Sequence, residues 1–267
     1  MANFIASPGD FLRGSIKVPG DKSISHRSIM LGSIANGVTN VSGFLEGEDT
    51  LATLNAFKDM GVKIEREGSN VVINGVGMNG LRPSLKPLNL GNSGTSIRLM
   101  TGLLSAQSFD SILCGDESLS KRPMARIIDP LSEMGAIIKS SNSMPPLSIS
   151  GNQKLSALKY TLPVASAQIK SCLLLAGLYA DGETCITENA TTRDHTERML
   201  KGFGYQVTSS SGQVSLTGGG QLQACDIEVP SDISSAAFFI VAASIANNAD
   251  ITLEAVNINP TRTGVIE

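Results

Sequence analysis

Tryptophan is absent from the sequence, and aromatic residues make up only 4% of its 267 residues. Surfaces that stack nucleic-acid bases depend on aromatic side chains, so no such surface is expected. Basic residues are not in excess either, since the formal net charge is −3. Affinity for the phosphate backbone needs a surplus of Lys and Arg. The composition therefore excludes nucleic acid as a partner, and any anion must be held at a local site.

Long apolar runs are also missing. The longest stretches, 173–180 and 236–243, fall far below the roughly 18–20 residues that span a bilayer. The N-terminus, MANFIASPGDFLRG, has no basic segment followed by a long apolar one, so no secretory signal is predicted. We expect no membrane partner and a cytoplasmic location. With 41% hydrophobic and 17% charged residues, the chain is predicted to be globular.

Potential metal ligands and common catalytic motifs are scarce. The only histidines are His26 and His195, and no Cys-x-x-Cys pair occurs. We therefore expect no metal and no zinc cluster. P-loop, Rossmann, nucleophile-elbow and HExxH patterns are absent as well. The sequence predicts buried, reduced thiols at its four cysteines, Cys114, Cys172, Cys185 and Cys225.

An internal repeat of about 70 residues organises the chain. The segments 49–77, 123–151 and 194–219 each show a helical pattern, a Met-Gly or Phe-Gly stop, a strand, a polar turn and a second strand. The stop glycines should adopt a positive φ as helix C-caps; they are Gly61, Gly135 and Gly204.

A second shared block precedes each of these segments, and a small-polar stretch opens an apolar helix in it. The four openings are GDKSISHR (20–27), GNSGTSIR (91–98), VASAQIKS (164–171) and PSDISSAA (230–237). The fourth unit has no hairpin after it, so we expect apolar surface around 236–243 to be exposed. The pattern predicts one complete pseudo-threefold α/β domain at 21–229, with buried helices and outer sheets. Residues 1–20 and 230–267 are predicted to belong to a second, mostly missing domain.

The helix openings are candidate anion sites, because free N–H groups and the positive end of the dipole lie at a helix start. Ordinary N-capping is the alternative for any single opening. Charged loops should lie near the openings, and Arg is the preferred bidentate partner of carboxylate and phosphate. A pocket with several cations would suit a substrate pair that carries several negative charges; its candidate cations are Lys22, Arg27, Arg122 and Arg193.

These motifs resemble the 5-enolpyruvylshikimate-3-phosphate synthase family. PGDKSISHR, LGNSGTSIR, SLSKRPMAR, SAQIKS and TRDHTERML look like family motifs in family order along the whole chain. The resemblance implies two domains of the inside-out α/β type found in enolpyruvyl transferases, each built from three βαβαββ units. Substrates would bind in the cleft between the domains. Only the first domain would be complete in this chain.

The resemblance also implies substrates and roles. The enzyme would transfer the enolpyruvyl group of phosphoenolpyruvate to the 5-hydroxyl of shikimate 3-phosphate, without a cofactor or metal, and glyphosate would occupy the phosphoenolpyruvate position. Lys22 would stabilise charge during catalysis. Shikimate 3-phosphate would contact Lys22, Ser23, Arg27, Ser166, Ala167, Gln168 and Arg193. Phosphoenolpyruvate would contact Lys22, Gly94, Arg122 and Gln168.

The family's acid/base pair, an Asp and a Glu, comes from its C-terminal half, so this chain alone is expected to be inactive and to need a separate C-terminal fragment. Asp232 is interpreted as a helix cap, and Asp49 and Glu197 are the first carboxylates to test if turnover is seen. Two alternatives stay open. One is the sister enolpyruvyl transferase that acts on UDP-N-acetylglucosamine, and the other is a non-catalytic anion-binding fragment.

Overall fold

The computed structural model of the chain describes Ile5 and residues 11–266. Its helices there are α1 (Lys22–Ile34), α2 (Glu48–Asp59), α3 (Gly94–Leu104), α4 (Ala125–Glu133), α5 (Ala167–Gly177), α6 (His195–Gly202) and α7 (Ile233–Ile245). Its strands are β1 (Arg13–Ile16), β2 (Asn36–Ser42), β3 (Lys63–Glu67), β4 (Asn70–Val76), β5 (Leu88–Asn89), β6 (Ser111–Cys114), β7 (Ile138–Ser141), β8 (Met144–Ile149), β9 (Lys159–Thr161), β10 (Glu183–Thr187), β11 (Thr208–Ser210), β12 (Gln213–Thr217), β13 (Ile227–Glu228) and β14 (Asp250–Leu253). Within this part of the chain, no helix is long and apolar enough to cross a membrane.

Three four-stranded sheets share one strand order, which confirms the internal repeat. The orders are β13-β2-β4-β3, β5-β6-β8-β7 and β9-β10-β12-β11. In each sheet the first two strands are parallel and the other neighbours are antiparallel. A parallel pair needs a crossover, whereas a tight turn can join the last two strands. Each unit therefore runs βαβαββ, and the first unit takes its opening strand, β13, from residues that follow the third.

The first helix of each unit lies inside the molecule and the sheets lie outside, as the predicted fold class requires. Ten of the eleven residues of α5 are buried, and α1 and α3 are similarly enclosed. A helix that is apolar on most of its surface must be surrounded by protein. The second helices, α2, α4 and α6, bury only one face. The strands of the sheets likewise bury alternate residues, as in β8.

The stop glycines end these second helices as predicted. Their φ angles are +88° at Gly61, +100° at Gly135 and +78° at Gly204. Each donates its N–H to the carbonyl three residues earlier. Residues with a side chain rarely adopt such φ angles, so glycine at this position fixes where each helix ends.

Strands β1 and β14 and helix α7 do not belong to the three repeat units. Strands β1 and β14 pair in parallel, and α7 packs against β14. Phe238 and Val241 of α7 are exposed, as expected for the stretch 236–243, and so is Ile245, but Ala236 is fully buried. The division into 21–229 and a second domain made of 1–20 and 230–267 stays a prediction. Residues 1–4, 6–10 and 267 lie outside the described residues.

The prediction for the cysteines was partly wrong. All four are free, but only Cys172 is buried, and Cys114, Cys185 and Cys225 are half-buried. Burial raises the pKa of Cys172 to about 12 and also raises that of Cys114. A raised pKa disfavours the thiolate, so Cys114 is a poor nucleophile.

Candidate active site

The four predicted openings are helix N-termini. Helices α1, α3, α5 and α7 begin directly after four capping residues, Asp21, Ser93, Ser166 and Asp232, whose side chains accept an N–H from the first turn. The capping interpretation is correct, including that of Asp232. It does not exclude anion binding, because a helix start presents four free N–H groups and a capping side chain satisfies only part of them.

Side-chain hydrogen bonds join α1, α3 and α5 in pairs near their first residues. The three contacts are Gln168 Nε2 to Thr95 Oγ1 at 3.1 Å, Arg27 Nη2 to Ser171 Oγ at 2.7 Å, and His26 Nδ1 with Ser96 Oγ at 3.3 Å. All six residues lie within the first two turns of their helices. The N-termini of the three central helices therefore meet at one end of the molecule.

The starts of α2, α6 and α7 lie at the same end. Lys22 forms an ion pair with Asp49 in the first turn of α2, and Arg27 Nε donates to Thr196 Oγ1 of α6 at 2.6 Å. The backbone N–H of Lys22 lies 3.3 Å from Oδ2 of Asp232, the cap of α7. Each helix N-terminus carries a partial positive charge. Their convergence, together with these basic side chains, makes this end attractive to anions.

A cavity of about 440 Å³ opens at this end. It brings together four residues predicted to bind shikimate 3-phosphate: Ser166, Ala167 and Gln168 at the start of α5, and Arg193 in the loop before α6. Partial burial and the positive charge of Arg262 lower the pKa of Arg193. The rest of the lining was not predicted and comprises Ala165, Thr192, Thr261 and Arg262.

The three predicted residues of α1 differ in accessibility. Lys22 is exposed and Ser23 is half-buried, whereas only 5% of Arg27 is exposed. The guanidinium of Arg27 already donates to Thr196, Ser171 and the carbonyl of Ser23. Burial lowers the pKa of Arg27 to about 10, against the opposing charge of Glu197, so Arg27 stays charged at neutral pH. Arg27 thus has a structural role that the sequence did not reveal.

Two guanidinium groups flank Gly94, the buried first residue of α3. A methyl group at this position would lie 2.7 Å from Nη1 of Arg98 and 3.0 Å from Nη1 of Arg122. Arg98 also donates to the carbonyl of Gly94 at 3.0 Å, and Arg122 contacts Asn92. Burial and the charge of Arg122 lower the pKa of Arg98. Arg98 was not among the predicted site residues, although it closes the motif GNSGTSIR.

A buried ion triad lines a neighbouring cavity, which shares Thr192 and Thr261 with the first. Lys170 Nζ lies 2.7 Å from carboxylate oxygens of both Glu188 and Glu197, and its side chain is 1% exposed. Burial raises the pKa of Glu197 despite the opposing charge of Lys170. Both carboxylates that the sequence named as candidate bases, Asp49 and Glu197, are therefore engaged in ion pairs. Among the described residues, no group of three or more His, Cys, Asp or Glu is arranged to hold a metal ion.

Three equivalent sheets around buried helices, with basic residues at the converging N-termini, define an α/β protein of the enolpyruvyl transferase type. The chain belongs to the EPSP synthase family. A model of that family, described as EPSP synthase (3-phosphoshikimate 1-carboxyvinyltransferase), matches residues 6–267.

Relatives and solved structures agree with this assignment. The chain is 68% identical over 267 residues to the 3-phosphoshikimate 1-carboxyvinyltransferase of Ruthia magnifica, covering 100% of this chain and 61% of the relative. It is 60% identical over 266 residues to that of Nitrosococcus oceani, covering 99% and 60%. The EPSP synthase structure from Acinetobacter baumannii superposes with a TM-score of 0.92 at 60% identity, covering 97% of this chain and 59% of that one. The chain thus spans about 60% of the length of the curated relatives it matches.

Proposed function

We propose that this chain supplies substrate-binding residues of an enzyme that transfers the enolpyruvyl group of phosphoenolpyruvate to the 5-hydroxyl of shikimate 3-phosphate. The convergence of helix N-termini beside Lys22, Arg122 and Arg193 carries the proposal. Both substrates bear a phosphate and a carboxylate, which helix starts and basic side chains bind. The reported relatives carry the name of this activity, which favours it over the UDP-N-acetylglucosamine reaction.

The residues divide into two substrate groups. We assign shikimate 3-phosphate to the α1 and α5 starts and one loop arginine: Lys22, Ser23, Arg27, Ser166, Ala167, Gln168 and Arg193. Phosphoenolpyruvate lies against the α3 start, at Lys22, Gly94, Arg122 and Gln168. The guanidinium of Arg98, beside Gly94, adds a cation to this second group. Glyphosate, an anion with a phosphonate and a carboxylate, occupies the phosphoenolpyruvate position.

In the reaction, the 5-oxygen forms a bond to C2 of phosphoenolpyruvate as its proton leaves and C3 gains a proton. A proton then leaves C3 while the bond from C2 to the phosphate oxygen breaks, which gives 5-enolpyruvylshikimate 3-phosphate and phosphate. Lys22, at the first residue of α1, stabilises the developing negative charge. The proton transfers need a positioned acid and base, which typically contribute 10²–10⁴ in rate. Asp49 and Glu197 already form ion pairs with Lys22 and Lys170, so we assign neither as the base.

We infer that the chain alone binds substrates without turnover and becomes active with a C-terminal fragment of the family. The exposed apolar side chains of α7, Phe238, Val241 and Ile245, support such a partner. We place the enzyme in the cytoplasm.

A phosphate-release assay tests the proposal. The purified chain, verified intact by mass, is assayed alone and with the C-terminal remainder of the Ruthia magnifica relative. We expect no release from either piece and release from the mixture, abolished by Lys22→Met in this chain. Turnover by the chain alone would require a base within it. Binding without turnover in the mixture would instead favour the non-catalytic anion-binding alternative.

A further inference from the structure

Arg262 lines the substrate cavity but has no assigned role. It lies in the loop after β14, and its neighbour Thr261 lines the same cavity as Ser166 and Arg193. The cavity therefore takes its lining from two regions. One comprises the start of α5 and the loop before α6, and the other is the loop after β14.

Hydrogen bonds within the protein use only some of the N–H donors of the Arg262 guanidinium. Nη2 contacts the hydroxyl of Ser234 and lies 3.6 Å from Oδ1 of Asp232, which is longer than a hydrogen bond. Within the described part of the chain, Nε and Nη1 have no hydrogen-bond partner. The side chain is only 15% exposed. Because these N–H donors are charged, mostly buried and without a partner, they favour binding of a ligand that can accept their hydrogen bonds in the cavity.

The neighbouring carboxylates are already engaged. Asp232 accepts the N–H of Ser234 at 2.8 Å as the cap of α7, and Asp21 caps α1 in the same way. Burial and then the charge of Arg262 lower the pKa of Arg193, against the opposing charges of these two carboxylates. The carboxylates nearest the two guanidiniums thus already cap helices, and no acidic side chain of residues 11–266 lines the cavity itself.

We propose that Arg262 is a second guanidinium of the phosphate subsite, binding the same phosphate as Arg193 and the start of α5. The identity of the ligand, shikimate 3-phosphate, rests on the proposed function. Arg matches the oxygens of phosphate with two parallel N–H groups, and a helix start supplies further donors. A bound phosphate would thereby connect the loop after β14 to the α5 start, so the ligand would hold two separate regions of the chain together.

Calorimetry on the full chain tests the assignment with two probes, shikimate 3-phosphate and inorganic phosphate. We compare the parent with Arg262→Gln, and with Arg198→Gln as a matched control on an exposed arginine that pairs with Asp194 on α6. Arg262→Gln should weaken the affinity for both probes about tenfold or more, as expected for a lost charged hydrogen bond. Arg198→Gln should leave both affinities unchanged. Equal affinities of the parent and Arg262→Gln overturn the assignment.

A second variant, Asp232→Asn, tests whether Arg262 acts by binding the anion or through its ion pair with Asp232. Asn keeps the cap of α7 but releases the guanidinium, so the affinity should be unchanged or higher. A loss equal to that of Arg262→Gln would show that the ion pair alone matters, and would overturn the assignment. If the parent binds inorganic phosphate but not shikimate 3-phosphate, the proposed substrate is wrong. The phosphate affinity of Arg262→Gln then still decides the role of Arg262.

Discussion

Gln168 Nε2 donates to Thr95 Oγ1 at 3.1 Å, and each residue is the second of its helix. The bond links equivalent positions of α5 and α3. Gln168 also lines the cavity at the start of α5, and we propose that it contacts both substrates. A free glutamine side chain must lose rotamer entropy on binding, whereas one held by Thr95 has lost much of it on folding. We therefore expect Thr95 to position the side chain of Gln168.

The first prediction concerns this bond. Thr95→Val keeps the shape of the side chain but removes the acceptor, so the amide of Gln168 becomes free to rotate. Binding of shikimate 3-phosphate should weaken by about 0.5–1.5 kcal/mol, the usual net value of a neutral hydrogen bond. Calorimetry measures the loss. Thr101→Val is the control, because Thr101 lies deeper on α3 and bonds only the carbonyl of Ile97. Equal losses in the two variants would contradict the positioning role.

The second prediction separates Lys22 from Arg27. Lys22→Ala should weaken binding of shikimate 3-phosphate by about 1.5–3 kcal/mol. It should change the free energy of unfolding by less than about 1 kcal/mol, because the ion pair with Asp49 is partly exposed. Arg27→Ala should lower both the affinity for shikimate 3-phosphate and the free energy of unfolding, because the hydroxyls of Ser171 and Thr196 lose a buried charged partner.

Calorimetry and urea unfolding of the same two variants give both numbers. If both variants bind shikimate 3-phosphate as well as the parent does, the start of α1 is only a helix cap and not a binding site. An unfolding free energy that is as low in Lys22→Ala as in Arg27→Ala would contradict the difference in burial. Ser23→Ala offers a further comparison, since the carbonyl that Arg27 uses remains in place.

The third prediction concerns glyphosate and uses the chain completed by the C-terminal fragment. The parent should be inhibited, and Gly94→Ala should raise the inhibition constant about tenfold or more while the KM for phosphoenolpyruvate rises less. The added methyl displaces the guanidiniums of Arg98 and Arg122 and narrows the site. Glyphosate has one more atom than phosphoenolpyruvate between its carboxyl carbon and its phosphorus. A change of one methylene in a fitted pocket is worth about 10–200-fold.

Steady-state kinetics with both compounds measure this difference. Gly202→Ala is the control, because a methyl there meets no atom within 4 Å. The same relative change in inhibition constant and KM would place glyphosate away from Gly94.

Local signals were sufficient to predict the repeat and the helix starts. Small-polar openings and stop glycines act on neighbouring backbone groups, so a few consecutive residues are enough to recognise them. The capped starts at Asp21, Ser93 and Ser166 illustrate this. The residues predicted for the site lie at the end of the molecule where these starts converge.

Contacts between residues far apart in the sequence could not be predicted from such local patterns. Lys170 belongs to the motif SAQIKS, but its burial between Glu188 and Glu197 depends on how α5, β10 and α6 pack. The loop with Arg262 is held near the cavity by contacts with distant residues, such as Asn259 Nδ2 to Asp194 Oδ1 at 2.6 Å. A periodic pattern predicts which face of a helix is buried, but it does not identify the partner on another element.

The last prediction concerns acid stability. His26 lies fully buried among α1, α2 and α3, with Nδ1 2.8 Å from the hydroxyl of Thr53. Burial, followed by the charges of Lys22 and Arg27, lowers the pKa of His26 to about 3. Burial likewise lowers the pKa of His195 to about 4.

Both histidines resist protonation in the folded state but take up protons near pH 6.5 when unfolded. The unfolded state therefore binds more protons below that pH, and the free energy of unfolding must fall as the pH falls. The slope approaches about 1.4 kcal/mol per pH unit for each histidine until its folded pKa is reached. Urea unfolding between about pH 7.5 and 4.5 should show this loss. His26→Leu should flatten the curve by the share of one histidine, whatever its own stability at neutral pH, and His195→Leu should do the same over the range above its folded pKa. A parent whose stability is constant over this range, or a His26→Leu variant with an unchanged slope, would show that His26 is not held neutral by burial.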